Sequence, residues 1–180
     1  QEGKFGECSA AELRALLSSK DAVVVGPGMG TALGAEGLLQ SLFVIAAEAN
    51  LPLVIDADAL NILAANRDLL EKIPSSAVLT PHAGEMARLL GISASQVEAD
   101  RISAVRMLSK LTGCWTVLKG ARSIVSSSQC ELFFNPAATE ALATAGSGDV
   151  LAGIIGAFLA RGRSLYSATL SAVFLHGLAG

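Results

Sequence analysis

The stretch Ala145-Gly146-Ser147-Gly148-Asp149 sets two glycines and one carboxylate at the head of a long apolar run that ends near Ala160. Glycines there expose backbone N–H groups at a helix start, and such a turn binds phosphate. A carboxylate is a poor phosphate ligand but a good base for a substrate hydroxyl, if the neighbouring amides hold the anion. The plainer reading of Asp149 is an acidic residue in a first helical turn, where the dipole favours negative charge.

Four other stretches carry residues suited to chemistry. "GPGMG" (Gly26, Pro27, Gly28, Met29, Gly30) lets the backbone turn tightly and a ligand approach closely. Its plain reading is a turn into the next helix, and its spacing is neither a dinucleotide fingerprint nor a Walker A loop. In "DADALN", Asp58 reads as a helix N-cap. Asp56, at the end of an apolar run, is a carboxylate that would be costly to bury alone. It could orient a loop or hold a metal-bound water, and a structural role suits it equally. "TPHAGE" places His82 in a constrained loop, as a ligand contact, and Glu85 where it can cap the next helix. "KGARS" offers Lys119 to phosphate oxygens and the Ser123 hydroxyl beside it, although a solvated lysine is the plain reading. His176, on an apolar helical face, reads as structural.

The elements that must position these residues alternate. A helix over Ala11 to Lys20, with Ser9 as cap, precedes an apolar strand, "AVVVG". A helix from Leu33 to Asn50 leads to the strand "LPLVIDAD", a short helix from Asp58 to Ala65, a strand over Ala77 to Thr80 and a helix from Gly84 to Leu90. The spacing predicts one amphipathic helix over Ser95 to Leu111, then the strand "WTVLKG". "ARSIVSSSQCELFFN" alternates as a hairpin turning near Ser127 to Gln129. Helices over Gly148 to Ala160 and Ser164 to about Leu178 follow. Strands alternating with helices predict a parallel α/β sheet covered on both faces, and the chemistry-bearing stretches fall at the strands' carboxyl ends, where such sheets bind ligands.

Composition agrees with one domain. The 180 residues are 52% hydrophobic and 16% charged, with 4% aromatic, so the core is built of Ala, Leu, Val and Ile. The mean hydropathy of +0.54 predicts a surface covered by other chain, in an oligomer or by missing sequence, yet no apolar run is long enough to span a membrane. Net charge is −3 without a basic cluster, which argues against nucleic-acid binding. Cys8, Cys114 and Cys130 share no metal-ligand spacing, no residue set is assigned to a metal, and Cys114 reads as buried packing. A reducing cytoplasm suits the free cysteines, and the N-terminus lacks the apolar core of a signal peptide.

"VVGPGMG", "VIDADALN", "LTPHAGE", "LKGARS" and "NPAATEALATAGSGDVLAGIIGAFLARG" occur in the order seen in the ADP/ATP-dependent NAD(P)H-hydrate dehydratases, the YjeF C-terminal family. The sequence resembles that family from about Ala22 to Gly180. The resemblance implies a ribokinase-like three-layer α/β/α sandwich with a mostly parallel sheet. It implies dehydration of the S-hydrate of NADH or NADPH, driven by ADP or ATP with Mg2+. Gly28, Gly30, His82 and Asp149 would contact the hydrate; Lys119, Gly120, Ala121, Arg122, Ser123, Gly146, Ser147 and Gly148 would hold the adenine nucleotide. Asp149 would deprotonate the ring hydroxyl, the nucleotide would phosphorylate it, and phosphate would leave as the double bond forms.

The family's usual Gly-Gly-Thr-Gly-Asp is "AGSGD" here, His-Pro-Gly-Glu is "HAGE", and Ser123 replaces a Thr. Each change keeps the hydroxyl, glycine or acid that matters, while "HAGE" should loosen its turn. Family domains also carry more sequence at both ends, so residues 1–180 read as a single domain lacking N-terminal and C-terminal parts. A homotetramer and a fused or separate hydrate epimerase are further implications. Two alternatives stay open: a ribokinase-like kinase acting on a vitamin precursor or sugar alcohol, which would share Gly146, Gly148 and Asp149, and a non-catalytic nucleotide-binding domain.

Overall fold

The computed structural model describes residues 8–32, 34–137 and 144–180. Leu33 and residues 138–143 of the long glycine-rich stretch lie outside the described residues. The chain runs α1 (Ala10–Leu17), β1 (Val23–Val25), α2 (Ala35–Ala49), β2 (Leu53–Ile55), α3 (Ala57–Ala65), α4 (Arg67–Leu70) and β3 (Ala77–Leu79). It continues through α5 (Ala83–Leu90), α6 (Ala94–Ala99), α7 (Arg101–Thr112), β4 (Trp115–Leu118), β5 (Ile124–Ser126), β6 (Leu132–Phe134), α8 (Ser147–Ala160) and α9 (Leu165–Ala179).

The strands lie in the order β1-β2-β3-β4-β5-β6. β1 to β4 are parallel, with Val24 opposite Val54, Val54 opposite Val78, and Val78 opposite Trp115. β5 and β6 close the sheet as an antiparallel hairpin. The interior strands β2, β3 and β4 are buried on both faces, which is why they read as unbroken apolar runs. Alternation sorts their side chains. Leu53, Ile55, Ala77, Leu79 and Leu118 join the layer formed by α1 to α7. Val54, Val78, Trp115, Val117 and Val125 join the layer formed by α8 and α9. This is the expected sandwich, mostly parallel and covered on both faces. Among the described residues no helix is long and apolar enough to cross a membrane.

The sequence expectation differs in two places. The single helix expected over Ser95 to Leu111 is two helices, broken at Asp100, whose non-helical backbone ends α6 and whose carboxylate caps α7 by accepting from Ser103 N at 2.9 Å. That bond holds the Asp100 carboxyl below its ordinary range. The one-turn helix α4 had no periodic signal; it is fixed by Asn66, which accepts from Leu69 N. The cap at Ser9 and the hairpin stand as read: Ser9 forms a capping box with Glu12, and Ser127 N donates to Glu131 O across the turn.

Candidate functional site

Parallel order from β1 to β4 brings four loops to one edge of the sheet, and α8 begins against that edge. Its N-cap, Gly146, has φ 86°, a left-handed conformation that favours glycine, and a glycine supplies no capping side chain. Of the first-turn N–H groups, Ser147 N donates to Thr144 O at 3.3 Å. Asp149 stands exposed on that first turn. α9 braces the turn from behind, with His176 Nε2 2.8 Å from Ser147 O, a structural role for that histidine.

Gly148 brings two motifs together. A methyl carbon built on it would lie 3.1 Å from Lys119 Nζ and 3.7 Å from Asp56 Oδ2. Lys119 is not a solvated lysine. It donates to Asp56 Oδ1 at 2.7 Å and lies 3.8 Å from Glu85 Oε2. Asp56 is 1% exposed, and its Oδ2 is buried without a hydrogen-bond partner among the described residues. The buried carboxylate suspected from the sequence is therefore neutralised by a cation from the neighbouring motif, with one oxygen left turned toward the start of α8.

His82 and Glu85 form a capping box on α5. His82 Nδ1 accepts from Gly84 N and Glu85 N, while Glu85 Oε2 accepts from His82 N at 2.8 Å. The imidazole is half exposed, with Nε2 3.5 Å from Glu85 Oε1. Glu85 thus caps the helix, as expected, and at the same time contributes negative charge beside Lys119.

Asp58 differs from its expected role. The N-cap position of α3 belongs to Asp56, and Asp58 lies in the first turn. Its Oδ2 accepts from Gly30 N at 2.9 Å, tying the "GPGMG" loop to the second strand's loop. Gly28 and Gly30 are exposed, with φ of 66° and 71°. Between the two carboxylates Ala57 is left-handed at φ 49°, a strained conformation for alanine.

In "KGARS", Ala121 and Arg122 are exposed and Ser123 Oγ donates to Gly120 O at 3.5 Å. Sequence reading missed Arg101 altogether; its guanidinium packs beneath this loop and donates to the carbonyls of Leu118, Lys119 and Arg122. No spacing signals it, because the contact depends on where α7 starts. Among the described residues no group of three or more His, Cys, Asp or Glu side chains could hold a metal ion by itself. All five motifs thus meet through α8, Lys119, Asp56, the α5 cap and the Asp58 bridge.

Residues 4–180 match the sequence model of the Carb_kinase family, described as NAD(P)H-hydrate dehydratase. Over 161 residues the chain is 44% identical to the ADP-dependent (S)-NAD(P)H-hydrate dehydratase of Neisseria meningitidis, covering 88% of this chain and 54% of that protein. The chain thus spans about half that relative's length. A solved ribokinase-like superfamily protein from Enterococcus faecalis is 27% identical, superposes with a TM-score of 0.79, and is covered over 59% of its length by 95% of this chain. The ADP/ATP-dependent NAD(P)H-hydrate dehydratase of Bacillus subtilis, co-crystallized with ATP/Mg2+ and soaked with CoA, is 28% identical with a TM-score of 0.74, over 88% of this chain and 55% of that one. In fold, motif order and sequence the chain belongs to the NAD(P)H-hydrate dehydratase family, on a ribokinase-like α/β framework.

Proposed function

We propose that the protein dehydrates the S-hydrate of NADH or NADPH, using ADP or ATP as phosphoryl donor, and so restores the reduced cofactor. The observation that carries this reading is the meeting of Lys119 with Gly148 at the glycine-headed start of α8. A cation and a set of helix amides converge there, as a transferring phosphoryl group requires. Lys119, Gly120, Ala121, Arg122 and Ser123 line the nucleotide's side with Gly146, Ser147 and Gly148. Gly28, Gly30 and His82 face the hydrate, with the Gly30 loop held by Asp58.

Asp149 takes the proton of the ring hydroxyl. The hydroxyl oxygen attacks the terminal phosphorus of the nucleotide, whose bridging P–O bond breaks, leaving a nucleotide one phosphate shorter. The neighbouring ring carbon then loses a proton, its electron pair forms the double bond, and phosphate departs with the former hydroxyl oxygen. Phosphorylation replaces a poor leaving group by a good one. Asp56 is the residue that would hold Mg2+, since its Oδ2 is buried without a hydrogen-bond partner among the described residues and faces Gly148. Bound there with the nucleotide, the ion would screen phosphate charge.

The protein would then be cytoplasmic and homotetrameric, working with a hydrate epimerase, fused or separate. The test is recovery of absorbance at the reduced-nicotinamide band from NADPH hydrate with Mg2+, comparing ADP, ATP and no nucleotide on full-length protein. Recovery with one nucleotide alone supports the reading and names the donor. Phosphate retained on a stable product would overturn it in favour of a small-molecule kinase.

A further inference from the structure

Arg101 opens α7, outside every motif that carries the chemistry. Its Nη1 donates to both carboxylate oxygens of Glu98, at 2.9 and 3.0 Å. Its Nη2 lies 3.4 Å from Leu118 O, 3.3 Å from Lys119 O and 3.5 Å from Arg122 O. Three carbonyl oxygens of one short loop thus converge on a single amino group. Without a cation at that point they would face one another, and the loop would have to open.

The convergence has a consequence for the loop's other side. In a trans peptide the N–H points opposite to the C=O. Carbonyls turned in toward Arg101 therefore turn the following N–H groups outward. The N–H of Lys119 follows this rule and donates to Pro81 O at 2.8 Å. By the same rule the N–H groups of Gly120 and Ser123 are turned away from the guanidinium. Gly120 fits the arrangement for a second reason. A Cβ there would lie 2.6 Å from Arg101 Nη2 and 3.0 Å from Nη1, so a side chain at this position would push the guanidinium out of its present place.

We infer that Arg101 is a positioning residue for nucleotide binding, acting through the "KGARS" loop by drawing in its carbonyls. The inference rests on the reading of that loop as the nucleotide's. Arg101→Met should raise the dissociation constant and KM for ADP or ATP about tenfold, with kcat and the KM for the hydrate within about twofold of wild type. Arg101→Lys, which keeps the charge but lacks the fork, should fall between the two. Gly120→Ala should weaken nucleotide binding in the Arg101 protein and add less than about twofold in Arg101→Met, where the atoms its methyl strikes are gone.

Nucleotide binding is measured by calorimetry on the full-length protein, separately from turnover, with amide hydrogen exchange of residues 119–123 in the absence of nucleotide. Faster exchange and weaker binding in Arg101→Met, with an unchanged hydrate KM, support the inference. Unchanged nucleotide affinity, or strictly additive losses with Gly120→Ala, would overturn it. A wild-type protein that binds neither nucleotide sinks the functional reading instead, and unaltered exchange in Arg101→Met would then overturn the bracket on its own. If Arg101→Met fails to fold, Arg101→Lys decides the matter by the same two measurements, with unchanged nucleotide affinity overturning the inference.

Discussion

The Nζ atom of Lys119 lies 2.7 Å from Oδ1 of Asp56, across 63 residues of sequence, with the lysine side chain 18% exposed and the carboxylate 1%. Parallel pairing of β2, β3 and β4 makes this contact, since each strand ends at the same edge. A carboxylate that deep is tolerated because a cation reaches it.

Removing that cation should leave an uncompensated charge. Lys119→Met should lower stability by about 3 kcal/mol, and Asp56→Asn in the same chain should recover most of that loss. Urea unfolding of the single and double variants measures both. A double variant no more stable than Lys119→Met would show that the ion pair is not what keeps Asp56 buried.

Asp149 is exposed on the first turn of α8, so its removal should leave folding nearly untouched. Asp149→Asn should lower kcat by about 10²- to 10⁴-fold, the range expected of a lost general base. Turnover by full-length protein, with a melting curve for each variant, tests this. Full activity in the variant removes Asp149 from the proton transfer.

The glycines of "GPGMG" should differ sharply. A Cβ on Gly26 would sit 1.7 Å from the backbone oxygen of Asp56 and 3.0 Å from Ala59 Cβ. Among the described residues nothing lies within 4 Å of one on Gly28 or Gly30. Gly28→Ala and Gly30→Ala should each cost about 1 kcal/mol for their left-handed backbone, whereas Gly26→Ala should cost above about 4 kcal/mol or fail to fold. Equal losses in the three variants would contradict the packing described for Gly26.

Cys114 is buried at the start of β4, and desolvation raises its thiol from 9.0 to about 11. Native protein at pH 8 should label at the exposed Cys8, while Cys114 reacts only after unfolding. Because the folded protein holds this proton more tightly, the stabilisation is complete below pH 9 and fades as pH rises through 11. Cys114→Ala should flatten that alkaline loss, as thermal melts between pH 8 and pH 11 would show.

The sequence was most legible where local rules govern. "AGSGD" before an apolar run announced the start of α8, and unbroken apolar triplets announced β2 and β3. Asp56 stood out because a carboxylate at a buried strand end demands a partner. Its partner did not stand out, since Lys119 is found only once the strand order is known. Asp58 shows a different limit: either aspartate of "DADALN" satisfies the rule for an N-cap, and the choice turns on Gly30 across the loop. The break at Asp100 escaped periodicity because apolar spacing continues through it from Val97 to Ala104 and Val105. Arg101 escaped for the same reason, its value lying in three distant carbonyls rather than in its neighbours.

The two faces of the sheet have different histories as the chain leaves the ribosome. α2 to α7 alternate with the strands, so one face is covered as each strand is laid down. The other face, with Val54, Val78, Trp115, Val117 and Val125, is covered by α8 and α9, which emerge after all six strands. Until they do, these side chains lack the two helices they pack against, and apolar surface left uncovered in this way recruits chaperones or draws nascent chains together. The helix whose first turn bears Gly148 and Asp149 also packs on that face, so completing the site and covering these residues are one event.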